Sequence, residues 1–102
     1  MSTLHTVNKS PYERFALASC LAHVAPGDAL LMLEDGVLGA RRSGAFAARL
    51  AEADRAVAVY AIGPDLEARG VKREDVAEGV EIVGYEGFVD LVANHARVCA
   101  WL

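Results

Sequence analysis

Two uninterrupted apolar runs, Ala29 to Leu33 and Ala56 to Ile62, constrain this fold more than any other feature of the chain. Neither run alternates polar with apolar residues, so both faces of each strand are buried, as in a parallel sheet covered by helices on both sides. Each run stops at a turn, Glu34-Asp35-Gly36 after the first and Gly63-Pro64-Asp65 after the second. Around them the chain alternates strand with helix. Leu4 to Val7 reads as a first strand, and Val80 to Val83 as a further one. Ser10, Pro11 and Glu13 read as a helix start, with a cap, a first-turn proline and a capping-box acid. That first helix runs to about His23. Gly36 to Ala53 has helical composition interrupted by Gly39 and Gly44, which predicts an irregular turn and then a firm helix from about Ala45. Gly63 to Asp65 begins a short helix that Gly70 ends in a left-handed cap. Lys72 to Ala77 adds a turn, and Phe88 to about His95 forms a final helix. The alternation predicts one three-layer α/β/α domain over residues 1–102, with a parallel sheet of four to five strands and right-handed crossovers.

Charge and hydropathy narrow the function classes. The formal net charge of −4 opposes nucleic-acid binding, which rests on clustered Lys and Arg. The longest strictly apolar run is far below the ~20 residues that span a bilayer, and Met1 to Pro11 shows no charged leader followed by an apolar segment. A cytoplasmic location follows as an expectation, with no membrane contact. Hydrophobic residues make up 54% of only 102 positions, and mean hydropathy is +0.25. A small domain has much surface for its core, so this excess predicts surface buried against other subunits.

The chemical inventory is thin. Ligands of an open parallel sheet gather beyond the carboxyl ends of its strands. Here that edge is built from Asn8 and Lys9, Glu34 and Asp35, Gly63 to Asp65, and Gly84 and Tyr85. No glycine-rich nucleotide motif or phosphate-binding lysine accompanies it, so no cofactor is expected. Asp35 reads best as a cap for the following turn. Arg41 and Arg42, between Gly39 and Gly44, are read as solvated surface or as salt bridges to a partner chain. His5 within the first strand reads as a hydrogen-bonded core or interface residue, and His95 likewise. Cys20 and Cys99 have neither a CxxC nor a zinc-ligand spacing, so both are expected as thiols, with no metal site.

Cys20 is the candidate for chemistry. At about 100° per residue, Leu17, Leu21 and Val24 form one stripe of the first helix with Cys20 on its flank, while Tyr12, Phe15 and Ala16 fall on another arc. Tyr12 and Phe15 are therefore candidate subunit contacts, and Cys20 lies at the seam between core and interface. Counted from Pro11, Cys20 is roughly nine residues, or about 13 Å, past the helix start. The helix dipole cannot favour its thiolate there. His23, three residues on, is the one local group placed to assist.

Leu4 to Pro11 (LHTVNKSP), Cys20, Leu30 to Val37 (LLMLEDGV), Tyr60 to Gly70 (YAIGPDLEARG), Tyr85 to Val92 (YEGFVDLV) and the penultimate Trp101 together resemble the DsrH family. DsrH is the small subunit of the DsrE, DsrF and DsrH complex of sulfur oxidisers, and it is related to TusB of the tRNA-thiolation relay. The resemblance spans nearly the whole chain. It implies a DsrE-like, flavodoxin-like fold and a heterohexamer with two copies each of DsrE-like, DsrF-like and DsrH-like chains. It also implies persulfide sulfur passed toward a DsrC- or TusE-type carrier. The family's principal sulfur-binding cysteine belongs to the DsrE- or TusD-type chain. Cys20 matches the cysteine in the first helix of DsrH, which TusB-type chains generally lack, and so implies a secondary persulfide acceptor in sulfur oxidation. Cys99 matches no motif of the family. A purely architectural TusB-type subunit of tRNA thiolation and a stand-alone small-molecule-binding domain remain open alternatives.

Overall fold

The computed structural model describes residues 2–102. Five parallel strands, β1 (Thr3–Val7), β2 (Ala29–Met32), β3 (Ala58–Ile62), β4 (Val80–Val83) and β5 (Arg97–Trp101), form one sheet in the order β4-β3-β2-β1-β5. The helices are α1 (Ala16–His23), α2 (Ala47–Ala53), α3 (Gly63–Ala68) and α4 (Tyr85–Asn94), with 3₁₀ turns at Glu34–Ala40 and Arg73–Asp75. The chain steps across from β1 to β4 and then returns over the whole sheet to set β5 outside β1, with His5 opposite Cys99 and Val7 opposite Trp101.

The first apolar run behaves as read, whereas the second is shorter than read, with β3 beginning at Ala58 and both Ala56 and Ala58 exposed. Residues 29–32 are buried at every position, because alternate side chains enter two separate cores. Val7, Leu30, Met32, Val59 and Ala61 face α1, α2, α3 and the first 3₁₀ turn. Leu4, Leu31 and Ile62 face Phe88 and Leu91 of α4, the one helix on that side. A fully buried leucine or methionine contributes roughly 1.5–3 kcal/mol, so the first face carries most of the apolar burial. Gly70, at φ +70°, ends α3 as expected. Its N–H meets the Glu67 carbonyl, and the Val71 N–H reaches back to Leu66.

Three expectations require correction. The first helix begins at Ala16 rather than at Pro11, with Phe15 as a cap that donates no side-chain bond. Ser10 does not cap it, because its Oγ accepts the Tyr12 N–H and its carbonyl accepts those of Glu13 and Arg14, closing an isolated turn. Asp35 does not cap the 3₁₀ turn either, since its carboxylate pairs with Arg69 at 2.8 Å. The third correction is β5, which falls in residues left without any element. It is an edge strand, with Arg97, Val98 and Ala100 exposed, so it lacks the apolar run that marked β2 and β3.

Candidate functional site

Cys20 lies in the second turn of α1, four residues past Ala16 and so about 6 Å from the true helix start. This is closer than the count from Pro11 gave, but it is still past the first turn, where the helix dipole acts. The site is closed. Cys20 is 0% exposed, packed in the core with Leu17, Leu30 and Met32 instead of lying at a seam with solvent. Burial pushes its thiol up to about 12, and the nearby charges of Cys99 and Asp28 add to the effect. At pH 7 that leaves about one thiolate in 10⁵, against a few per cent for an ordinary cysteine. His23 does not reach it. Its Nδ1–H donates to the Ser19 carbonyl at 2.7 Å, and its ring, on the exposed side of α1, lies 5.5 Å from that of Trp101.

Beside Cys20 the fold assembles a polar network that no local pattern announced. Asp28, in the turn before β2, is buried and accepts three hydrogen bonds: from the Thr3 N–H at 3.0 Å, the Ala25 N–H at 3.1 Å and His5 Nε2 at 2.9 Å. The Trp101 indole Nε1 lies 3.0 Å from His5 Nδ1. An indole nitrogen only donates, so Nδ1 is the acceptor and the His5 proton sits on Nε2, directed at Asp28. His5 is thus neutral in this arrangement. Burial opposes ionisation of Asp28, but the bonds from His5, Ala25 and Thr3 outweigh it and hold the carboxyl below its ordinary value of 3.8. The network ties β1, the β2 turn and the end of β5 together. His5 is a hydrogen-bonded core residue as expected, whereas Asp28 and Trp101 were not singled out as its partners.

The carboxyl edge gathers a second cluster from three loops. Glu34 adopts φ +50°, and its N–H donates to Asp65 Oδ2 at 2.7 Å. Tyr85 donates to Asp65 Oδ1 at 2.9 Å, a bond that raises its phenol above the usual value. Arg69 joins Asp35 to the Asp65 carbonyl. These bonds staple three loops together, and they occupy the carboxylates of Asp35 and Asp65. A neighbouring cleft of about 430 Å³ at the ends of β3 and β4 is lined by Gly63, Leu66, Val71, Lys72, Arg73 and Gly84, among others, with no cysteine or histidine.

The remaining candidates lie at the surface. Tyr12 and Phe15 are exposed, Phe15 at 86%, as are Arg41 and Arg42. Arg42 donates its N–H to Asp75, and Arg41 bridges to Val76 through its backbone. His95 donates Nδ1–H to the Leu91 carbonyl. Cys99 is half-buried and unbonded. Among the described residues no helix is long and apolar enough to cross a membrane.

Fold and site together define a small DsrE-like α/β domain whose one helix-borne thiol is sealed in its core. The fold matches the crystal structure of the ychN protein from E. coli with a TM-score of 0.80 at 18% identity, covering 99% of this chain and 100% of that one. It matches a protein of unknown function from Methanobacterium thermoautotrophicum with a TM-score of 0.73 at 19% identity, over 96% and 97% of the two chains. In sequence, the chain is 42% identical to Protein TusB of Pectobacterium atrosepticum, over 96% of this chain and 99% of that one. It is 35% identical to Protein TusB of Photorhabdus laumondii over the same shares. Residues 9–98 match the family described as DsrH like protein, and the chain belongs to that family.

Proposed function

We propose that this chain is a non-catalytic subunit of a cytoplasmic sulfur-relay complex of the DsrEFH type. In this reading it assembles with DsrE-like and DsrF-like chains, two copies of each, and they pass persulfide sulfur to a DsrC-type carrier. The observation that carries the reading is the sealed Cys20. Sulfur transfer requires a thiolate that can reach the outer sulfur of a donor persulfide and displace the donor's thiolate. A thiol with no exposure and a value pushed up to about 12 meets neither condition. The chain then supplies surface, and Phe15, Val89 and Leu102, each more than half exposed, are apolar groups that a subunit contact would cover.

The experiment is mass spectrometry of the co-expressed complex after exposure to a persulfide donor. The expected result is sulfur on a partner chain and none on Cys20. Gain of one sulfur atom on this chain, lost in Cys20→Ser, would instead assign it the secondary acceptor role. A second reading, a TusB-type subunit of tRNA thiolation, is favoured by the name of its curated relatives. Deleting the gene and measuring 2-thiouridine in tRNA separates the two, since loss of the modified base supports the second reading and its retention supports the first.

A further inference from the structure

Cations and acids are unevenly distributed over this acidic chain. Residues 9–14 and 41–49 carry five of its ten Lys and Arg but only one, Glu13, of its fourteen Asp and Glu. The fold brings these two segments together. Pro11 packs on Gly39, and the Tyr12 hydroxyl and the Arg41 Cβ both lie within 4 Å of where a side chain at Gly44 would begin. The Tyr12 ring meets Phe46 edge-on at 6.5 Å, and the Arg49 guanidinium lies over the other aromatic partner of this pair, 5.6 Å from the Phe46 centroid. Phe15, three residues from Tyr12, stands in solvent. Among the described residues none of Arg14, Arg41 and Arg49 has a carboxylate within ion-pairing distance, whereas Arg69 does.

We propose that the Tyr12–Phe46 pair and the exposed Phe15, with Arg14, Arg41 and Arg49, form a docking surface for an acidic face of a protein partner. Aromatic anchors with arginines at their margin are the composition of interface hot spots. Three uncompensated guanidiniums beside them select carboxylates, which pair with arginine through two parallel bonds. Nucleic acid is disfavoured because the rest of the surface is acidic and would repel a polyanion that extends beyond the patch. The inference rests on the assembly reading above and names the surface it uses.

The test measures binding of the purified chain to its co-expressed DsrE-like and DsrF-like chains at increasing salt. Three proteins are compared: wild type, R14E/R41E/R49E and F15S. All substituted side chains are exposed, and circular dichroism checks that the fold is kept. The wild type is expected to bind more weakly as salt rises. The triple variant is expected to lose about tenfold in affinity at low salt and most of its salt dependence, since the charge pairs it removes are exposed and screened by salt. F15S is expected to weaken binding at every salt concentration. A triple variant that binds like wild type overturns the docking surface and leaves the assembly reading standing. A wild-type chain that fails to bind overturns the assembly reading itself. Binding of tRNA through the same three arginines would overturn the choice of a protein partner.

Discussion

Asp28→Asn isolates the buried network. Asp28 accepts three bonds between 2.9 and 3.1 Å, and bonds to a charged acceptor contribute roughly 1.5–3 kcal/mol each. An asparagine keeps one oxygen: turned toward Ala25 N–H and His5 Nε2–H it accepts both and sets its amide N–H₂ against the Thr3 N–H, whereas the opposite flip keeps only the Thr3 bond. His5 cannot adapt by moving its proton to Nδ1, because the Trp101 indole already donates there. In the better flip one bond is lost and the Thr3 N–H is left facing a donor, partly offset by the removal of a buried charge, and the net cost is about 1–3 kcal/mol. For a domain of this size, whose whole stability is of the order of 5–15 kcal/mol, that lowers Tm by about 5–20 °C.

The pH dependence supplies a second check on the same variant. The carboxyl of Asp28 is held below 3.8 in the folded chain, so its contribution is fully present above about pH 4 and is lost as pH falls through the folded value. Urea unfolding followed by circular dichroism at pH 7 and pH 3 reads both effects. The gap between wild type and Asp28→Asn is expected at pH 7 and narrows on acidification. A variant within ~0.5 kcal/mol of wild type at pH 7, or a gap that widens in acid, refutes the reasoning.

Other outcomes follow from the same geometry. Alkylation of the folded chain at pH 8 is expected to label half-buried Cys99 first and Cys20 only in denaturant, with peptide mapping as the readout. Gly36→Ala drives a Cβ into the Val7 carbonyl oxygen, a backbone atom that cannot move aside, and is expected to cost at least about 2–4 kcal/mol by chemical denaturation. Trp101→Phe removes the donor to His5 Nδ1 and is expected to cost about 1–3 kcal/mol, with hydrogen exchange accelerated first in the β5 amides.

The elements that were legible in the sequence are those whose signal is local. Continuous apolar runs marked β2 and β3, and Gly70 marked the end of α3 because only a left-handed residue closes that turn. Where a local signal had two physical meanings, the reading went astray. Ser10-Pro11-Tyr12-Glu13 suits a helix start and an isolated turn equally well, and the packing of Pro11 on Gly39 decides for the turn. The site was less legible. His5, Asp28 and Trp101 are 23 and 96 positions apart, and only the return of the chain to place β5 beside β1 makes them neighbours. The same crossing brings Cys99 near Cys20, so the two charges that raise the Cys20 thiol further, from Cys99 and Asp28, were invisible from α1 alone.

That topology bears directly on what Cys20 can do. Bringing its thiol from about 12 to neutrality requires about 7 kcal/mol of differential stabilisation of the thiolate. This is comparable with the whole stability of a 102-residue domain. A partner's cation at the surface supplies about 1 kcal/mol, and α1 would have to lift from Leu30 and Met32 before such a cation reached the sulfur. Lifting α1 would also part His23 from Trp101 and expose the network that anchors β5. Activating the thiol would therefore disturb both the core packed around it and the neighbouring network that anchors β5.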